Sequence, residues 1–480
     1  MESKISDAMA QSSRIFRGRL IVPHQTDGVR WMLGREVFDG AGVRGGLLAD
    51  EMGLGKTASI LATIAGNTQH RGTLIVCPKS LVAQWVNECT RFLGIHPAVI
   101  SAAQMRTLRP MDLDFQYIII TTYSALLVNS PVLHAHEFGR IVLDEAHAIK
   151  NTSRKVHMSA RNLKAGIRWC MTGTPVTRRK RDFMALMHFI GDTASDYKTL
   201  RDTYVMRRTF EDLSARCERL RLPPLELQLH VVEFESEEEK EAYTRLEDEF
   251  SWRLEAFEQE QSADNTMYHL IEVIMRMRQM TVHPQLVLNG REDPGTQWTA
   301  PVTKLNAVTK MVSELPRSSK VLIFTHWTYE MNAMCEAMGD GALKMNGATP
   351  HEKRNEIVTA FNTDPEVRVL VLHIDVGGAG LNLQAATHVI INSMDWNATS
   401  ELQAIARAHR LGVEHPVVAT RMVIKNTIDE YIYKVQQDKL KYAADVLNDD
   451  RIEKRLNASN GCALSLHELS ALHEFIHKDS

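Results

Sequence analysis

Three strings in this chain carry residue types that could work together on a phosphate. The first is Asp50-Glu51-Met52-Gly53-Leu54-Gly55-Lys56-Thr57, between an apolar run and an apolar helical stretch. Its glycines would let backbone N–H groups approach nucleotide phosphates, and the following helix N-terminus adds favourable partial charge. Lys56 would reach the β- and γ-phosphates and the Thr57 hydroxyl would ligate Mg²⁺. The generic pattern has a glycine five residues before Gly55, where this chain has Asp50. A flexible glycine-rich turn is the alternative, but strand, loop, lysine, hydroxyl and helix all agree on a phosphate loop. The second string, Asp144-Glu145-Ala146-His147, directly follows Ile141-Val142-Leu143. Both carboxylates are therefore expected at a buried strand's tip, Asp144 to hold Mg²⁺ through its water shell and Glu145 to orient or deprotonate an attacking water. The third, Gln403-Ala404-Ile405-Ala406-Arg407-Ala408-His409-Arg410, reads as helix with Arg407 and Arg410 on one face. It is either a basic helix face or a source of arginines that stabilise a transferring phosphoryl group. Strings so far apart suggest a site built between two lobes.

The elements that must carry these strings are legible as apolar runs. Residues 46–49, 74–77, 117–120, 140–143 and 169–171 form one set of short β-rich segments, and 321–324, 369–372, 388–391 and 417–420 a second. Such runs alternating with helical segments are the pattern of buried parallel strands, and ligands bind at the strands' C-terminal ends. The expected fold is α/β, with two nucleotide-fold lobes, each on a parallel sheet, and helical insertions between and after them. The lobes are expected at 1–200 and 303–445, with a helical insertion at 201–288, a linker at 289–302 and a helical tail at 446–480. Within the insertion, Ser236-Glu237-Glu238-Glu239 has the form of a capping box opening an acidic, solvated helix.

Composition narrows the function classes. The 480 residues are 44 % apolar and 24 % charged with net charge −3, an ordinary globular balance. Any polyanion-binding surface must therefore be a local patch. Six scattered cysteines without a Cys-x-x-Cys pair indicate neither a disulfide framework nor a zinc module. No apolar stretch is long enough to span a bilayer, so an intracellular protein without a membrane partner is expected.

Taken together, the motifs resemble the Swi/Snf-type ATPases of helicase superfamily two, in the family's order and over nearly the whole chain. Residues 50–57 match the family's own phosphate loop, and Asp144 to His147 with Ile149-Lys150-Asn151 match its DEAH-box segment. Pro23-His24-Gln25 with Gly28-Val29 and Trp31-Met32 resembles the adenine-reading motif, implying that Gln25 recognises the base. Segments 74–81, Gln84-Trp85 and Thr121-Thr122-Tyr123 resemble first-lobe motifs on the nucleic-acid backbone, implying contacts from Lys79, Trp85, Thr121 and Tyr123. Thr172-Gly173-Thr174-Pro175 resembles the motif coupling hydrolysis to nucleic acid. Met206-Arg207-Arg208-Thr209, Leu222-Pro223-Pro224, Arg276-Met277-Arg278-Gln279 and His283-Pro284-Gln285 are similar to the family's helical insertions. In the second lobe, 323–328, 346–349 and the glycine-rich 377–383 complete the set, implying nucleic-acid contacts from Thr325 and Asn382 and a nucleotide contact from Gly380. With this order in view, Arg407 and Arg410 are expected to be arginine fingers. The wording is closest to the Rad-type repair translocases and the transcription-release factor lodestar, without their zinc-binding RING insert.

The resemblance implies a monomeric DNA-dependent ATPase using ATP and Mg²⁺ to translocate on double-stranded DNA, gripped mainly by its phosphate backbone. It would act in the nucleus or another site of DNA transactions, a viral one included, with a polymerase or chromatin component as candidate partner. A strand-separating helicase on DNA or RNA, and a non-catalytic DNA- or polymerase-binding scaffold, are the alternatives. Departures at three motifs bear on the choice. Thr177 and Arg178 follow the Thr-Gly-Thr-Pro string where the family has Gln and Asn, and His373 and Asp375 precede the glycine-rich motif. Ala406 and Val413 replace an acid and a Gln in the last motif.

Overall fold

Runs such as Leu74-Ile75-Val76 are fully buried along their length, which selects parallel pairing within a helix-covered sheet. In the computed structural model they build a seven-stranded sheet from β1 (Gly45–Leu48), β2 (Thr73–Cys77), β3 (Ala98–Ile100), β4 (Ile118–Thr122), β5 (Glu137–Asp144), β6 (Lys164–Met171) and β7 (Val205–Met206). The order is β3-β4-β2-β5-β6-β1-β7. A second, six-stranded sheet contains β8 (Leu225–Val232), β9 (Val321–Thr325), β10 (Ala342–Met345), β11 (Val369–His373), β12 (His388–Ile391) and β13 (Val417–Ile424), in the order β10-β11-β9-β12-β13-β8. Every pairing in both sheets is parallel. The structure describes residues 2–447, 471 and 472, apart from 19, 21–22, 38–42, 70–71, 115, 174–179, 192–195, 215–216, 218–219, 260–262, 291–295, 378–380 and 397. At 180, 258–259, 263–266, 351, 377, 399 and 439–447 it describes the backbone alone.

The sheets belong to two compact units, 1–222 with 442–449 and 223–441 with 450–480. All nine expected strands form. The insertion expected over 201–288 does not stand as one helical block, because β7 joins the first sheet and β8 the second, on either side of the 222/223 boundary. From Glu237 the expectation of helix holds: Glu237–Gln259 and Ala263–Val282 form an antiparallel pair packed on the second sheet's core. The Ser236 hydroxyl accepts from the Glu239 amide at 3.2 Å, the first half of a capping box, while the Glu239 carboxylate turns to the Thr303 amide instead of closing it. The linker's centre and most of the expected tail lie outside the described residues.

Buried ion pairs pin helices to each sheet. In the first unit, Arg140 on β5 donates Nε to Glu36 at 2.7 Å, while Trp169 Nε1 (2.9 Å) and Asn67 Nδ2 (2.8 Å) donate to the same carboxylate. In the second, Lys304 Nζ lies 2.7 Å from Asp429 and donates to the Asn392 carbonyl at 3.0 Å. Such charges are tolerated inside because every pole has a partner. Among the described residues, no helix is long and apolar enough to cross a membrane.

Candidate nucleotide site

Parallel register brings the chemistry of the first unit to one edge. Leu48 and Asp144 both pair with Met171, so the ends of β1, β5 and β6 stand level. The phosphate loop leaves β1, the acid pair ends β5, and Thr172 follows β6. Gly53 and Gly55 have φ of 91° and 79°, a region costly to side-chain-bearing residues. Gly55 caps the helix Lys56–Gly66, with Thr57 in its first turn. Lys56 Nζ donates to the Asp50 carbonyl at 2.9 Å, so the amine is held over the loop. A Cβ on Gly173 would come within 3.0 Å of the Met52 side chain and 3.7 Å of Lys56 Nζ, which explains why glycine follows Thr172 there.

The acid pair is oriented by residues from two other elements. Trp85 Nε1, on the helix Val82–Leu93, donates to Asp144 Oδ2 at 2.8 Å, and the Glu145 amide donates to Oδ1 at 3.0 Å. The Tyr123 hydroxyl donates to the Asp144 carbonyl at 2.7 Å. Burial, then the neighbouring Glu145 charge, pushes the Asp144 carboxyl up to about 7, against the pull of the Trp85 hydrogen bond and Lys56. Glu145 sits at φ 48°, an uncommon conformation for a residue with a side chain. Its Oε2 lies 3.3 Å from His147 Nδ1 and 3.5 Å from Thr172 Oγ1, linking β5 to β6. Hard oxygen donors at Asp144 and Thr57, beside a lysine, suit a hydrated divalent cation and phosphate.

Gln25 reaches the loop directly: its Nε2 donates to the Leu54 carbonyl at 3.3 Å, beside His24 Nε2 at 3.1 Å. Sequence reasoning missed Arg207 and Arg208 as parts of this site. Arg208 donates Nε to Asp50 Oδ1 at 2.9 Å and Nη2 to Oδ2, and Nη1 to the His24 carbonyl. Arg207 Nη1 reaches the carbonyls of Ala49 and Gly173 at 3.3 and 3.4 Å. The available signal was Asp50 itself, since an acid in place of glycine beside a buried strand requires a cation.

The residues expected on nucleic acid divide by burial. Lys79 and Asn382 are exposed. The side chains of Trp85, Thr121 and Thr325 are buried, a correction to their expected contacts. Trp85 is on Asp144, Thr121 Oγ1 donates to the Ile100 carbonyl at 2.8 Å, and Thr325 Oγ1 to the Leu372 carbonyl at 3.1 Å. Tyr123 is half-buried with its hydroxyl turned to the acid pair. Strand-tip hydroxyls and ring N–H groups find partners inside the lobe because a buried donor left unpaired is costly.

In the second unit the helix Ala398–Ile405 ends before the arginines. Arg407 and Ala408 donate their amides three residues back, to Ala404 and Ile405, so Arg407 and Arg410 occupy turns and not one helical face. Arg410 Nε donates to the Ala406 carbonyl at 2.9 Å, and burial lowers the pKa of its guanidinium. Asp375 is 84 % exposed at its side chain, 3.6 Å from His373 Nδ1. Thr177 and Gly380 lie outside the described residues.

Two RecA-like lobes on parallel sheets, the first with a phosphate loop and paired acids at level strand ends, define a nucleotide-hydrolysing core. Comparison with known proteins agrees: a SNF2-related domain matches residues 24–201 and a helicase conserved C-terminal domain matches 303–412. A probable global transactivator of Orgyia pseudotsugata multicapsid polyhedrosis virus is 30 % identical over 87 % of this chain and 89 % of its own length. The mouse SWI/SNF-related matrix-associated actin-dependent regulator of chromatin subfamily A member 1 is 27 % identical over 91 % of this chain and 44 % of its own. The solved Sulfolobus solfataricus SWI2/SNF2 ATPase core in complex with dsDNA is 23 % identical, covering 92 % of this chain and 94 % of that one, with a TM-score of 0.41. The chain belongs to the SNF2-related (SWI/SNF) family of ATPases. It spans about half the length of the cellular relatives it matches and nearly all of the viral one.

Proposed function

We propose that the chain is a DNA-dependent ATPase that couples ATP hydrolysis to translocation along double-stranded DNA. The observation that carries the nucleotide half is the level ending of β1 and β5 on either side of β6, the first leading into the loop of Lys56 and the second ending at Asp144 before Glu145, with Asp144 held by Trp85. Lys56 would hold the β- and γ-phosphates, and Thr57 and Asp144 would hold Mg²⁺, which neutralises charge on the transferring phosphoryl group when bound. Glu145, restrained by His147 and Thr172, would orient or deprotonate the attacking water. Gln25 would read the base, with Asp50 to Thr57 and Gly380 lining the nucleotide. Arg407 and Arg410 would act as arginine fingers on the γ-phosphate.

Family membership supports the DNA half. Lys79 and Asn382, exposed in their lobes, would contact the phosphate backbone. The motif wording supports a finer placement among the DEAH-box members nearest the Rad-type translocases and lodestar, displacing DNA-bound proteins in transcription or repair, and the viral relative supports a role in DNA transactions of that kind. The chain is proposed to work as a monomer.

The test is ATP hydrolysis by the whole chain with and without duplex DNA. Stimulation at low salt that falls steeply as salt rises, with little dependence on DNA sequence, is expected for backbone contact. Hydrolysis indifferent to DNA at low salt would overturn the translocase reading.

A further inference from the structure

Asp50 and Glu51 stand where a generic phosphate loop has small or neutral residues, and both are tied to the same stretch of chain. The Ala49 amide donates to the Met206 carbonyl at 2.7 Å and the Glu51 amide to the Arg208 carbonyl at 2.9 Å. The Phe210 amide in turn donates to Glu51 Oε2 at 2.8 Å. Residues 206–210 thus run alongside 49–51, fastened at successive positions. This stretch continues from β7 on the chain's way out of the first lobe.

Arg208 is the centre of this fastening. Asp50 is fully buried, so its charge requires compensation within the protein. The guanidinium supplies Nε and Nη2 to the two carboxylate oxygens, a planar fork that an ammonium cannot reproduce. Its remaining nitrogen, Nη1, donates to the carbonyl of His24, the neighbour of Gln25. The Asp50 carbonyl, meanwhile, is the acceptor for Lys56 Nζ. One side chain therefore holds together the residue before the base-reading glutamine and the residue on which the catalytic lysine rests.

We propose that Arg208 is a positioning residue for ATP: by bridging Asp50 and the His24 carbonyl it holds the phosphate loop and Gln25 in mutual register. It does so from the segment that leads out of the lobe. This rests on the nucleotide reading above. Because the Arg208 guanidinium is committed to Asp50 and the His24 carbonyl, its loss raises KM for ATP and leaves the chemical step served by Lys56, Asp144 and Glu145.

The structure offers a way to move the guanidinium without removing a charge. A Cβ on Gly28 would fall 2.7 Å from Arg208 Nη2, so Gly28→Ala pushes the fork off its seat. Gly28 lies within the helix His24–Glu36, where alanine is intrinsically the better helix former, so this variant carries no helix penalty. The experiment measures KM for ATP, kcat and thermal midpoint for wild type, Gly28→Ala and Arg208→Lys, with Lys56→Ala as the inactive control. The expected result, measured well below each midpoint, is a KM raised roughly tenfold in both variants, the size of a lost charge-assisted contact, with kcat within about threefold and both midpoints lowered by the disturbed buried pair. KM within twofold of wild type in both variants overturns the inference, as does a fall in kcat at saturating ATP as large as the rise in KM. A wild-type chain that hydrolyses no ATP overturns the nucleotide reading instead, and is distinguished by its identity with Lys56→Ala.

Discussion

At the tip of β5 in the first lobe, Asp144 is buried with one side-chain donor and one amide, its carboxyl pushed up to about 7. Where β9 and β12 end in the second lobe, Glu330 is equally buried but surrounded by donors. The amides of His326 and Trp327 donate to its Oε2 at 2.9 and 3.2 Å, Ser393 Oγ donates there at 3.3 Å, and Asn392 Nδ2 donates to Oε1 at 2.8 Å. The sheets share one plan, yet the acid that ends β5 retains acceptor capacity for a ligand while Glu330, in the first turn of the helix Thr328–Met338, is saturated by the fold. Degree of satisfaction, more than burial or position, separates an acid that can do chemistry from one that closes a turn.

The largest expected effect tests the first half of that contrast. Glu145→Gln should lower kcat for ATP by roughly 10²–10⁴-fold, the usual span for a lost general base, with the unfolding midpoint unchanged. Activity within tenfold of wild type would break the assignment. Next in size is Glu36→Ala, which leaves Arg140 buried without its carboxylate. A loss of about 3–5 kcal/mol in chemical denaturation is expected, and a loss below about 1 kcal/mol would show that a saturated buried acid in the first lobe is dispensable.

Glu330→Ala should cost about 2–3 kcal/mol by stranding two amides and the Asn392 side chain, while kcat per folded molecule changes little. A large fall in kcat with stability intact would collapse the contrast. The smallest effect concerns Glu239, fully buried, with Oε1 lacking a hydrogen-bond partner and Oε2 accepting from the Thr303 amide at 3.1 Å. Burial raises its pKa to about 7. The folded state therefore holds this proton more tightly than the unfolded chain, and its contribution is full below about 4.5 and lost as pH rises through 7. Glu239→Gln should flatten that fall by about 1–3 kcal/mol between pH 5 and 8, in denaturation at a series of pH values. An unchanged slope would show that an unsaturated oxygen alone does not strain the fold.

What could be read beforehand follows the same physics. The central strands are apolar along their length because helices cover both faces, so all nine were visible. The edge strands β3, β7, β8 and β10 were not. Three of them are four residues or fewer, and β8 mixes exposed polar residues with half-buried leucines, which dilutes its periodicity. The phosphate loop and acid pair were legible as local strings. The roles of Trp85 and Arg208 were not, because they depend on contacts across 59 and 158 positions. The arginine string was misread as helix because alanines favour one, whereas the chain turns after Ile405.

β8 joins the second sheet only through β13, and just past its end Glu233 meets Lys425, 192 positions further along. On a ribosome, that strand emerges right behind a lobe that already owns all of its own sheet, and then waits while nearly the whole of its future neighbour is still untranslated. An unpaired edge with Leu229 and Val231 facing outwards is an invitation to other nascent chains. Synthesis of this protein should accordingly be most prone to aggregation, and most dependent on chaperones, in the interval between the completion of residue 232 and the appearance of residue 417.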